Sequence, residues 1–131
     1  MAKNYPDDLR YTKDHEWVRI DDKHAHIGIT EYAVQQLGDI TMVDLPKEKE
    51  AFRREESIAT VESVKAVSDV YAPLSGTVVR VNTTLNDTPE TLNEDPYDDG
   101  WILVLDLKDP SEIDKLMTAQ EYEQYLREQA H

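Results

Sequence analysis

Lys65 stands between Val64 and Ala66 in the run Glu62-Ser63-Val64-Lys65-Ala66-Val67-Ser68-Asp69. An unpaired ammonium is costly to bury, so in this β-prone region the residue is expected to be thrust outward at a chain reversal. An outward lysine is open to a special role, and equally to none beyond solvation. Other residues offer other chemistries. His24 and His26 would project from one face of a strand at ligand-like spacing, but no third ligand completes a metal set. Asp14-His15-Glu16 could hold an acid beside a base, and Ser63 or Ser75 could be nucleophiles; no Gly-x-Ser-x-Gly elbow surrounds either serine. The acidic stretch 93–99 has the carboxylates that calcium prefers, without the alternating ligand pattern or closing Glu of a calcium loop. It reads better as a solvated loop.

Composition removes further classes. The chain has no cysteine, which excludes disulfides, thiolate nucleophiles and zinc knuckles. With 14 Lys and Arg against 28 Asp and Glu, the formal charge is −14, a sign that repels nucleic acid. Only four glycines occur and none are clustered, so a phosphate-cradling loop is missing. The length of 131 residues fits one domain spanning 1–131. No apolar run approaches the ~20 residues of a membrane span, and the first residues read as neither signal nor transit peptide. A bacterial cytoplasmic monomer is the expectation. The mean hydropathy of −0.68 leans polar, but a 39% hydrophobic share with seven Tyr and two Trp argues for a folded domain with an acidic surface.

The elements that must position these residues follow from periodicity. Residues 16–29 alternate with period two and break at Asp21-Asp22-Lys23, which predicts two strands and a turn. Thr30 as N-cap, Ala33, Val34 and Leu37 at helical spacing, and Gly38 as a stop predict a short helix. Residues 40–45 resume an extended pattern ahead of Pro46. Residues 57–82 are the densest β-prone stretch, broken only by Pro73 and Ser75-Gly76. A single strand over 57–72 would be far too long, so a reversal is expected within it, although 62–66 lacks the usual turn residues. Residues 83–100 read as a long polar loop with little to pack, and 101–107 as a final strand. Asp109-Pro110-Ser111-Glu112 and Thr118-Ala119-Gln120-Glu121 are two helix-start signals. Trp17 and Trp101 each open a strand-like run and are expected in the core.

At the residue level the chain resembles the glycine cleavage H-protein family, a family of lipoyl carriers, over almost its whole length. The blocks are Tyr11 to Trp17 ending His15-Glu16-Trp17, Ile27-Gly28-Ile29-Thr30, Leu37-Gly38-Asp39-Ile40, and Glu62-Ser63-Val64-Lys65-Ala66 with Asp69. Ala72-Pro73-Leu74-Ser75-Gly76, residues 93–101 and Glu121-Tyr122 continue the match. The resemblance implies a mainly β fold, a small antiparallel barrel-sandwich hybrid of the lipoyl-domain kind with a short early helix and C-terminal helices. It also implies lipoate joined to Lys65 as an amide, with Glu62 and Gly76 as attachment signals. Biotin carriers typically set their lysine between methionines, whereas Val64 and Ala66 stand here.

By the same resemblance the protein is a carrier and not an enzyme. It shuttles an aminomethyl group from a pyridoxal-phosphate glycine decarboxylase (P protein) to a folate-dependent aminomethyltransferase (T protein), and brings the dithiol to dihydrolipoyl dehydrogenase (L protein). A lipoate ligase or a lipoyl/octanoyl transferase would load it. Glu16 and Asp69 are implied as carboxylates of a cleft that shelters the loaded arm, with Asp14 and Gln36 as further candidates. An alternative role is donation of lipoyl or octanoyl groups in relay to 2-oxo-acid dehydrogenases. An unmodified β scaffold and a metal-dependent enzyme built on His24 and His26 are the readings from other classes.

Overall fold

The computed structural model describes residues 5–129. Among the described residues there are nine strands, the longer of which largely alternate apolar and polar residues, and they sort into two antiparallel sheets. Six strands line up as β1 (Arg10–Tyr11), β2 (Glu16–Asp21), β3 (His24–Ile29), β9 (Leu103–Leu107), β8 (Gly76–Val81) and β5 (Ala51–Phe52). The smaller sheet orders β4 (Ile40–Asp44), β6 (Ser57–Ser63) and β7 (Val67–Tyr71). The β2–β3 reversal falls where the sequence places it, with Asp22 at φ 59, a left-handed conformation that Asp tolerates better than most residues.

Alternate residues point to opposite faces of each strand, and here both faces of the larger sheet are used. Val18, Ile27, Leu105 and Val78 meet Val43, Val61 and Val70 in the main core between the sheets. On the opposite face, Tyr11 and Trp17 pair across β1 and β2 and join Leu9, Ala119 and Tyr122 in a second core. Trp17 lies flat over Gly28, where a Cβ would stand 2.5 Å from the indole. The lid of that core is α4 (Ala119–Gln129). Its start is a capping box, in which Glu121 N donates to Thr118 Oγ1 at 3.2 Å and Thr118 N to Glu121 Oε1 at 2.9 Å.

The short helix α1 (Glu31–Leu37) forms as its sequence predicts: Thr30 Oγ1 accepts from Ala33 N, and Gly38 ends it at φ 79. Two expectations need correction, the loop over 83–100 and the core position of Trp101. The stretch 83–100 is not a loop with little to pack, because it holds two helical turns, α2 (Thr84–Asp87) and α3 (Thr91–Glu94). Each turn sends one leucine, Leu85 or Leu92, fully into the main core, which anchors an otherwise polar segment. Asn82 ties down the far end by donating to Asp99 O and Trp101 O. Further on, Asp109 caps a helical segment through Ser111 N as expected, and that segment, Pro110–Lys115, is a 3-10 helix. Trp17 is core; Trp101 is only half-buried, with the Arg80 guanidinium 5.0 Å from its ring.

Candidate functional site

Strands β6 and β7 form the reversal that carries Lys65, with Thr60 opposite Asp69 and Glu62 opposite Val67. Ser63 closes it. Its N–H donates to Ala66 O at 2.8 Å, and its hydroxyl accepts from Lys65 N at 3.2 Å and Ala66 N at 3.0 Å. A serine hydroxyl therefore replaces the Gly, Asn or Asp that tight turns usually need. Lys65 is exposed at the tip, and so is Val64.

The tip is held from a second side. Val64 N donates to Asp39 O at 3.1 Å, in the turn between α1 and β4. That turn is braced by Asn93 of α3, whose amide donates to Gly38 O and accepts from Ile40 N, both at 2.9 Å. Gly38 adopts φ 79, a left-handed conformation that favours glycine, and a Cβ there would stand 3.6 Å from Lys65 Cε, an ordinary van der Waals contact. Helix α3, the turn 38–40 and the hairpin thus form one mechanical chain ending at the amine. In the sequence Asn93 stands only as one residue of the polar stretch 83–100, the acidic run 93–99 and the block 93–101; no spacing rule points to its bracing role.

The two proposed attachment signals occupy different places. Glu62 is half-buried on β6, in register between Met42 of β4 and Val67 of β7. Gly76 begins β8 in the other sheet, between Phe52 and Leu107, where a Cβ would stand 2.5 Å from Asp106 O. Close backbone packing alone demands a glycine there.

Glu16 is 1% exposed, at the start of β2. Thr12 Oγ1 donates to its Oε1 at 2.5 Å and Tyr71 N to its Oε2 at 3.1 Å. Burial pushes its carboxyl up to about 7, against the lowering effect of those two hydrogen bonds. The residue forms part of the wall of a cavity of about 640 Å³, with Asp14, Arg54, Tyr71, Lys115 and Met117 among its neighbours. Asp69 does not line that cavity; it is exposed on β7 and accepts from Ser57 Oγ at 3.0 Å. It does lie on the strand that joins tip to cavity, since Val67, Asp69 and Tyr71 alternate onto one face over about 13 Å. Gln36 is exposed on α1, away from the cavity lining.

His15 holds the loop that delivers Glu16. It adopts φ 72, accepts Thr30 N at its carbonyl, and places Nδ1 2.8 Å from Tyr122 OH, against Tyr32 and Tyr125. Burial lowers its pKa. His24 is exposed and His26 half-buried opposite Arg19, and no cluster of three or more metal-binding side chains forms among the described residues. No helix among the described residues is long and apolar enough to cross a membrane.

A mainly β barrel-sandwich that bears a lysine at a braced hairpin tip, with a cavity at the far end of the same hairpin, is the architecture of a lipoyl carrier protein. Residues 9–129 match the family model of the glycine cleavage H-protein. The chain is 53% identical to the glycine cleavage system H protein of Geobacillus kaustophilus over 125 residues, covering 95% of this chain and 98% of that one. It is 50% identical to the H protein of Bacillus subtilis over 123 residues, covering 94% and 97%. The crystal structure of the Mycobacterium marinum H protein superposes with a TM-score of 0.85 at 39% identity, covering 96% and 99%. The chain belongs to the glycine cleavage H-protein family, whose members carry lipoate and serve as carriers rather than catalysts.

Proposed function

We propose that Lys65 Nζ carries lipoate in amide linkage. The chain presents that arm in turn to a pyridoxal-phosphate glycine decarboxylase, a folate-dependent aminomethyltransferase and dihydrolipoyl dehydrogenase, after loading by a lipoate ligase or a lipoyl/octanoyl transferase. When bound, lipoate supplies a disulfide able to take up a one-carbon unit with two electrons. Bacterial relatives support a bacterial cytoplasmic setting, and a monomer is the state proposed.

The observation that carries this reading is the exposed Lys65 on a clasped, twice-anchored hairpin. Rigid strands fix where the arm begins, and the lysine's own rotatable bonds let it reach several active sites.

Glu16 and Asp69 serve the return of the arm. The β7 face leads from the tip, past Asp69, to the cavity wall that holds Glu16. A cationic amine brought there would favour the ionised form of Glu16 and draw its pKa back down, giving a charge-assisted contact away from bulk water. Glu62 presents itself beside the tip to the loading enzyme, while Gly76 acts by permitting close packing of the strands.

Intact-mass measurement of protein made in a lipoate-sufficient host, with peptide mapping, tests the assignment. The expected result is one lipoyl adduct, on Lys65. An adduct on another residue, or bare protein despite active ligase and lipoate, overturns it.

A further inference from the structure

The outward face of the three-stranded sheet has an unusual composition for so polar a chain. Met42, Glu62 and Val67 form one row across β4, β6 and β7, and Asp44, Thr60 and Asp69 form the next. Met42 is 50% exposed, Val67 65% and, at the tip, Val64 69%; Val79 is the other large hydrophobic exposed among the described residues. The charged residues within these three strands are all carboxylates, namely Asp44, Glu62 and Asp69, with no Lys or Arg. Exposed apolar side chains interleaved with carboxylates of one sign, with Glu62 between Met42 and Val67 and Lys65 at the adjoining tip, give this face the character of a docking surface.

We infer that this face, through Met42, Val64 and Val67 within the carboxylates Asp44, Glu62 and Asp69, docks the lipoate-attaching enzyme, which presents an apolar lip rimmed by lysine or arginine. The inference rests on the carrier reading above. Distance selects this partner over the others. In attachment the reacting atom is Lys65 Nζ itself, so the enzyme must come within one lysine side chain of the tip and touch the residues around it. Enzymes that work on the far end of the arm can stand off by its length. In the step itself, neutral Nζ attacks the carboxyl carbon of an activated lipoyl donor, an acyl-adenylate or a thioester. The C–N bond forms, the donor's leaving group departs with its electron pair, and the surplus amine proton passes to solvent.

Net charge alone would give a different result from a local face, and equal-charge variants separate them. The apo chain is titrated against a lipoate ligase, reading kcat/KM for attachment over a range of salt, with denaturation midpoints to confirm folding. Asp44→Asn with Asp69→Asn is expected to lower kcat/KM about tenfold at low salt and to flatten the salt dependence. Glu123→Gln with Glu128→Gln, at a half-buried and an exposed position of α4 away from the hairpin, removes the same charge and is expected to stay within about twofold. Met42→Gln and Val67→Thr, which keep size, are expected to cost roughly three- to tenfold each with the salt slope unchanged. Equal losses in the α4 control, or face variants within twofold of the parent, overturn the docking face while leaving Lys65 as the attachment point. Failure of the parent chain itself to be modified at Lys65 overturns the carrier reading instead.

Discussion

The Oε2 atom of Glu16 accepts the backbone N–H of Tyr71 at 3.1 Å, which ties the first long strand of the larger sheet to the last residue of the lysine hairpin. The bond sets a buried acid at the end of the path along β7 from Lys65. Its energetics lead to the first prediction.

Glu16 has its pKa raised from 4.5 to about 7, so the folded state holds a proton there that the unfolded state releases between those values. Its contribution to stability is therefore greatest below about pH 4.5 and declines as pH rises through about 7. That difference corresponds to on the order of 3 kcal/mol at most. Glu16→Gln is expected to remove most of this decline, seen as a smaller loss of unfolding free energy between pH 5 and 8 than in the parent. Parallel curves for the two proteins would contradict the shift. The lowered His15 acts in the opposite sense, losing stability as pH falls below its unfolded value, and cancels in the comparison.

Asn93 supports the hairpin without touching it. Asn93→Ala removes two hydrogen bonds to the turn that holds Val64 and is expected to cost about 2 kcal/mol. Amide exchange should quicken at Val64 and Ile40 and remain unchanged in β2. Uniform loss of protection would mean that the brace is global rather than local.

Ser63 is the turn's own clasp. Ser63→Ala is expected to cost about 1 kcal/mol, and Ser63→Thr, which restores the hydroxyl, much less. Urea midpoints measure both. Attachment to Lys65 should slow in the alanine variant and recover in the threonine variant.

Gly76 separates packing from recognition. A methyl group there would meet Asp106 O at 2.5 Å, so Gly76→Ala is expected to destabilise by roughly 2 kcal/mol. If Gly76 acts through packing, the loss of attachment should fall in step with the unfolded fraction and vanish where the variant is fully folded. An attachment defect in fully folded protein would point to direct contact with the loading enzyme.

Much of this was legible along the chain. Period-two alternation in 16–29, the cap and stop around α1, and the exposed position of Lys65 are local consequences of side-chain chemistry, and residues near in sequence suffice to produce them. The need for a reversal within 57–72 was clear from length alone. What closes it was not, since a serine hydroxyl serves as a turn clasp only when the backbone around it is already folded back. The polar stretch 83–100 read as a loop because its two anchors, Leu85 and Leu92, lie seven residues apart with no periodic partners. Their burial comes from the main core waiting beneath them. The sequence marks Glu16 as an acid beside His15 and, by resemblance, as a cleft carboxylate, but carries no sign of its environment. Its near-neutral pKa, its bond to Tyr71 and the cavity it lines all arise from groups distant in sequence, because desolvation and backbone donors are supplied by tertiary packing. The sequence determined which lysine stands outward; the fold alone decided how firmly its hairpin is held and which cavity that hairpin leads to, because the brace and the cavity wall come from residues distant in the chain.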